Sequence, residues 1–280
     1  MRNYLNLLQN VLDEGLWQDN RTGIRTKRVI GGMLEFDLQD GFPLLTTKKI
    51  FTNQMIGELI GFIRGYTNAA DFRAIGCTWW DANANQNEQW LANPHRKGID
   101  DLGLIYGHQY RNWISHDGTI DQLKVAIDTI INNPTSRRII VTAWNPADID
   151  KAALPPCHVM YQFLPDPKTK ELSLTFTMRS CDLFLGAPMN IASYALLLEI
   201  AAKATGYKAK KLVAFMSDLH IYEDHIDAVK EQLTRVPLEL PTIHITNPLT
   251  GVQALELIEP TDIKFINYAS YKAIPAKMAV

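Results

Sequence analysis

The run "NIASYALLLEIAAKATGY", residues 190–207, sets apolar side chains around the whole circumference of a helix. A helix without a polar face must be covered on every side, so this stretch predicts a helix buried in the middle of the molecule. The chain has 280 residues, 46% of them hydrophobic, which is enough to build such a cover.

The other periodic segments predict what surrounds it. Tyr4 to Gly15 reads as an amphipathic opening helix, and "DNRTGIRTKRVIGGMLEFDL" as a turn followed by strands with glycine punctuation. "FTNQMIGELIGFIRG" repeats Met55, Leu59, Ile60 and Ile63 at helical spacing and closes on Gly65, and residues 121–133 form another amphipathic helix. "RRIIVTAWN" reads as a strand. "HVMYQFLPD" and "ELSLTFTMRS" alternate on either side of a Pro-Asp-Pro turn and are candidate paired strands. The last third is expected to mix short strands with a proline-rich loop. The sum is an α+β fold: a mixed, mostly antiparallel β-sheet covered by helices. No repeat, low-complexity block or linker interrupts it, so residues 1–280 are expected to form one domain.

A formal net charge of -2 and 21% charged residues give no overall electrostatic footprint for nucleic acid or membrane, so a small anion would need local arginines. No apolar run reaches the ~20 residues that cross a bilayer. Cysteines at 77, 157 and 181, without a CxxC pair, fit a reducing compartment and point to the cytoplasm.

Several residues carry chemistry. In "LPPCHVMYQF", Cys157 stands beside His158, but neighbours on a strand point to opposite faces, so the imidazole need not be its base. An isolated cysteine is commonly a small buried hydrophobe. A thiolate here would be stabilised by arginine charge, and metal binding is disfavoured because the cysteines and histidines lack paired spacing. Arg137 and Arg138 in "SRRII", with Arg21 and Arg179, are four guanidiniums suited to a phosphate, or else solvated charges at strand ends. "RSCDLFLGAPMNIASY" brings Arg179, Ser180, Asp182, Gly186 and Asn190 into apolar surroundings, where polar groups need partners or a ligand. The Asn190 amide matches a lactam edge such as uracil, or serves as an N-cap. His220 and Tyr222 share one face of an extended segment and suit a sugar hydroxyl. Glu58 within "MIGELIGF" would have a raised pKa if it faces inward, and otherwise faces solvent.

Taken in order, "DNRTG", "DGFPLLTTKK", "GELIGFIRG", "YGHQYR", "SRRIIVTAWNP", "PPCHVMYQF", "RSCDLFLGAPMNIASYALL", "DLHIYEDH" and "KMAV" resemble the thymidylate synthase family over nearly the whole chain. The resemblance implies that family's fold, a sheet-to-sheet homodimer, dUMP as substrate and methylenetetrahydrofolate as co-substrate, with no metal. It implies Cys157 as the nucleophile adding to carbon 6 of the pyrimidine, and Glu58, Tyr106 and His158 in the proton-transfer network. Asn190 would read the uracil edge and Asp182 the pterin. Arg21, Arg179 and Ser180 would bind the phosphate, with Arg137 and Arg138 reaching across the dimer, and His220 and Tyr222 would hold the deoxyribose. Trp80, Leu154, Gly186, Met189 and Val280 would line or close the folate site.

The sequence departs from the family pattern mainly on the cofactor side. Gly61 and Asn83 stand where tryptophans are usual, Met189 where phenylalanine is usual, Met178 in place of glutamine and Ser217 in place of glycine. A deoxyuridylate hydroxymethylase, which lets water attack the same one-carbon adduct, is therefore an alternative. A non-catalytic nucleotide- or RNA-binding regulator is a further one, but it would have no need of a nucleophile.

Overall fold

The computed structural model describes residues 1–246, 248 and 250–277. In chain order the strands are β1 (Leu16–Gln18), β2 (Thr26–Asp37), β3 (Trp113–Ser115), β4 (Gly118–Ile120), β5 (Ile140–Thr142), β6 (His158–Asp166), β7 (Glu171–Asp182), β8 (Lys208–Tyr222), β9 (Thr242–Ile245) and β10 (Ile263–Ile266). The helices are α1 (Arg2–Glu14), α2 (Thr52–Ile63), α3 (Ala69–Ala74), α4 (Asp81–Asn85), α5 (Glu88–Leu91), α6 (Tyr106–Arg111), α7 (Gln122–Asn132), α8 (Gly186–Thr205), α9 (Ile226–Leu233) and α10 (Gly251–Leu257).

Six strands form one sheet in the order β1-β2-β8-β7-β6-β5, while β3/β4 and β9/β10 are separate pairs. Within the large sheet every neighbouring pair is antiparallel except β7 and β8, which are parallel. A parallel pair needs a crossover, and α8 is that crossover. It leaves the end of β7 and stops at Gly206, whose φ of 74° is the left-handed cap that glycine adopts without a Cβ clash. Tyr194 of α8 stacks on Phe176 of β7 at 4.2 Å, and α2, α7 and α10 pack on the helix elsewhere. Being enclosed by sheet and helices explains why α8 has no polar face.

The helices cover one face of the sheet. Leu172, Leu174, Phe176 and Met178 of β7 are buried under them, and Ser173, Thr175, Thr177 and Arg179 alternate onto the opposite face. That open face carries a cross-strand row from Met33 through Phe215 and Thr177 to Met160. Met33 is 52% and Phe215 43% exposed, an apolar strip that a solvated sheet face does not ordinarily display.

The helices predicted at 4–15, 51–65 and 121–133 are present, the third capped by Asp121, whose carboxylate accepts from the Lys124 N–H. The β6/β7 hairpin is present too, with its reversal at residues 167–170. "RRIIVTAWN" yields only the three-residue edge strand β5, which has a partner on one side alone. The last third differs from expectation: β8, at 15 residues, is the longest strand. It pairs along both edges, so its position is fixed by β2 and β7 and its polar residues find cross-strand partners, which blurs the alternation that announces a strand.

Candidate active site

Cys157 sits where the Pro155-Pro156 turn enters β6. Its N–H donates to the Tyr106 hydroxyl at 2.7 Å, and its carbonyl accepts from the Arg179 N–H at 2.9 Å. Prolines have no N–H, so their carbonyls are the groups left for partners. Arg179 fills them, its Nε donating to Pro156 O at 2.7 Å and its Nη2 to Pro155 O at 3.2 Å. The same guanidinium lies 5.3 Å from the Trp144 ring centroid. Burial raises the Cys157 thiol above the ordinary cysteine value, while the charges of Arg179 and Arg21 pull it down and Asp182 pushes it up. The expected net activation by arginine is therefore corrected: both arginines act in the predicted direction, but desolvation outweighs them.

His158 points away from the thiol, into the core. Its ring stacks on Tyr106 at 4.1 Å with planes 15° apart, and Nδ1 lies 2.7 Å from the Tyr194 hydroxyl. Burial pushes the imidazole down to about 3, so it is neutral at pH 7. Glu58 of α2 accepts from the Trp80 indole N–H at 3.0 Å, and burial raises its carboxyl to about 7. Glu58 therefore faces inward, settling that alternative. Glu58, His158, Asn190, Ser193 and Tyr194, with Phe62 among the apolar walls, surround a cavity of about 20 Å³, room for one water. The Ser193 hydroxyl is buried without a partner in the described structure.

Asn190 lies in the second turn of α8, whose N-cap is Leu185, so the capping alternative is excluded. Its Nδ2 donates to Met178 Sδ at 3.8 Å, and Met178 is opposite His158 in the β6/β7 register. Thus Met178 touches the Asn190 amide and is paired with the histidine strand.

The parallel register of β7 and β8 sets Ser180 opposite Asp218 and Asp182 opposite His220. His220 Nδ1 is 2.8 Å from Asp218, which also accepts from Arg28 at 3.1 Å. Tyr222 shares the strand face of His220, with ring centroids 5.2 Å apart. Burial raises its phenol, against a lowering contribution from Arg21. Asp182 spends Oδ1 on the N–H groups of Phe184 and Leu185, fixing the β7–α8 turn. Gly186 is close to both Asp182 and Asn190; a Cβ there would lie 3.7 Å and 3.9 Å from their side chains.

On the cofactor side the sequence expectations are modified. Trp80 is only 4% exposed, and its polar edge is committed to Glu58. Leu154 and Met189 are half-buried against the core, and Asn83 is half-buried in α4. A Cβ at Gly61 would fall 2.2 Å from the Phe72 ring, so the volume that a larger side chain at 61 would need is occupied from α3. Val280 lies outside the described residues. Arg21 is exposed in the turn before β2, within electrostatic reach of Cys157 and Tyr222. Arg137 and Arg138 are exposed ahead of edge strand β5, and within one chain nothing joins them to Cys157.

Two polar residues escaped the sequence reading. Asp218 orients His220, and its signal was the i,i+2 spacing within "SDLH". Lys48 is buried, donates to Phe184 O at 2.5 Å and is pushed down to about 7 by burial, with Asp182 opposing. Its only signal was a charge immediately after the apolar "FPLLTT". Among the described residues no three His, Cys, Asp or Glu side chains cluster as a metal site, and no helix is long and apolar enough to cross a membrane.

A family model described as thymidylate synthase matches residues 2–280. A thymidylate synthase of Pseudomonas syringae pv. tomato is 43% identical over 323 aligned positions, covering 100% of both chains. Those of Pseudomonas putida and Bordetella bronchiseptica are 44% and 42% identical over the same length and coverage. These matches place the chain among the methyltransferases. It belongs to the thymidylate synthase family, and relatives bearing that name do not favour the hydroxymethylase alternative.

Proposed function

We propose that the chain converts dUMP to dTMP with Cys157 as the covalent nucleophile, and that it does so as a homodimer. The observation that carries this reading is the setting of Cys157: its backbone is clamped by Tyr106 and Arg179, while Arg21 and Arg179 act on its thiol. Addition of Sγ to carbon 6 makes carbon 5 nucleophilic and divides one difficult substitution into easier steps. Methylenetetrahydrofolate supplies the one-carbon unit and the hydride.

Arg21, Ser180 and the free Nη1 of Arg179 bind the phosphate, joined by Arg137 and Arg138 of the second copy. His220, held by Asp218, and Tyr222 take the deoxyribose hydroxyl. Asn190 reads the uracil amide edge, its Nδ2 having only a weak sulfur acceptor to give up. Glu58, with a pKa near 7, holds and moves protons at the pyrimidine O4 through water in the adjacent cavity. Neutral His158 orients that water network, and Tyr106 lies beside carbon 5, where a proton must leave. Asp182, Trp80, Leu154, Gly186 and Met189 form the folate side, where excluding water favours hydride delivery over hydration. The open apolar sheet face supports the sheet-to-sheet dimer, and three free cysteines support a reducing cytoplasm.

The test is incubation with fluoro-dUMP and methylenetetrahydrofolate followed by intact-mass spectrometry. A covalent adduct is expected, absent from Cys157→Ala. With dUMP, thymidylate and dihydrofolate are the expected products. Hydroxymethyl-dUMP with tetrahydrofolate would establish the other reading.

A further inference from the structure

The chain's last described segment is strapped across the molecule by side chains outside the site described above. Tyr268 donates to Leu45 O at 2.8 Å and accepts from the Ile50 N–H at 3.1 Å. The Tyr271 N–H donates to Thr46 O at 2.9 Å, and Arg235 joins Thr47 O to Lys272 O at 2.7 and 2.8 Å. The final anchor is His225, which is 1% exposed and whose Nε2 lies 2.7 Å from Lys277 O. A carbonyl can only accept, so Nε2 carries the proton. Nδ1 is buried with no partner in the described structure. Leaving that nitrogen unpaired costs stability, which the Nε2 bond to Lys277 offsets in part.

The His225 ring is also a bridge between regions. It packs 5.6 Å from Tyr222 and 5.5 Å from Phe184, which belongs to the turn fixed by Asp182. One imidazole therefore touches the proposed sugar-binding residue, the turn carrying the proposed pterin ligand and the carbonyl of Lys277.

We propose that His225 is a positioning residue for the folate co-substrate: its bond to Lys277 fixes the C-terminal strap against the nucleotide and pterin sides of the site. This rests on the proposed function for its kinetic consequence but not for its structural one. The variants are His225→Gln, whose amide nitrogen reaches about as far as Nε2, His225→Asn, which is too short, and His225→Leu. Loss of the donor in Asn or Leu is expected to raise the KM for methylenetetrahydrofolate by about five- to tenfold, a larger change than any in dUMP affinity, with Gln close to the unsubstituted enzyme. Carboxypeptidase trimming followed by mass needs no catalysis: chain loss past Lys277 should be faster in Asn and Leu than in Gln. If Leu does not fold, Gln against Asn decides. Equal trimming in Gln and Asn would overturn the strap bond. Faster trimming in Asn with an unchanged folate KM would overturn the positioning role. Failure of the unsubstituted protein to form the fluoro-dUMP adduct would instead count against the proposed function, with trimming still reporting on His225.

Discussion

The Tyr106 hydroxyl accepts the Cys157 N–H at 2.7 Å, so the backbone of the proposed nucleophile is fixed by a residue from a different layer of the fold. The thiol itself is raised by burial and lowered by Arg179 and Arg21. Alkylation of Cys157 in the free protein should therefore accelerate with pH and reach half its limiting rate above the ordinary cysteine range. Arg179→Ala, which removes the larger of the two opposing effects, should move that midpoint higher. A midpoint below the ordinary range in the unsubstituted protein would show that charge, not burial, dominates.

Glu58 makes stability pH-dependent. Its folded value near 7 exceeds the unfolded carboxylate value, so the folded state holds its proton more tightly. Its contribution is complete in acid below the unfolded value and is lost as pH rises to about 7. The loss amounts to at most about 3 kcal/mol, less whatever solvent access to this half-buried group recovers. Glu199, also raised to about 7 by burial, adds a slope of the same sign. Urea unfolding between pH 4.5 and 7.5 should give a flatter pH profile for Glu58→Gln, and flatter still with Glu199→Gln added.

Asn190→Asp should shift preference from dUMP toward dCMP, because a protonated carboxyl can donate to the cytosine ring nitrogen. Competition kinetics with both nucleotides measures this. An unchanged ratio of kcat/KM values would remove Asn190 from base reading.

The open sheet face should be where two copies meet. Phe215→Asp puts a carboxylate into the exposed row beside Met33. Sedimentation should show the unsubstituted chain at twice the monomer mass and the variant at the monomer mass. Phosphate-dependent nucleotide affinity should fall by about tenfold or more if Arg137 and Arg138 act across the interface. A dimeric variant with full affinity would put the interface elsewhere.

Elements whose burial is set by neighbouring sequence were legible. The helices near 4–15, 51–65 and 121–133 and the β6/β7 hairpin follow from periodicity. The predominantly apolar stretch of α8 also announced its burial. Of β8 only the extended stretch around His220 and Tyr222 was legible, because its length is set by pairing with β2 and β7, and Asp218 finds Arg28 across the β2/β8 pair only after folding. Site chemistry divides the same way. Residue types in "PPCHVMYQF" and "RSCDLFLGAPMN" named the candidates. The net direction of the Cys157 shift, the inward face of Glu58 and the near-loss of basicity at His158 depend on desolvation by distant segments. The sequence could not say where Arg137 and Arg138 point, and the structure leaves both exposed ahead of edge strand β5.

Gly61 is tight because of its neighbour. Gly61→Ala brings a methyl against the Phe72 ring and should lower urea stability by about 1–3 kcal/mol. Phe72→Ala alone should cost about 3–5 kcal/mol through the cavity it leaves. The pair Gly61→Trp with Phe72→Ala should cost less than Phe72→Ala alone. Additive losses in the pair would mean that the two positions do not share one volume.

Phe72 at the back of α2 also touches Phe62, Tyr66 and Trp80 through its ring edges and faces. Trp80 in turn holds the carboxyl of Glu58. Aromatic mass supplied by α3 therefore reaches, through Trp80, the acidic group of α2. For anyone redesigning this chain, positions 61 and 72 are therefore a single cassette: either half changed alone would produce a collision or a void, and its effect would be felt at Glu58.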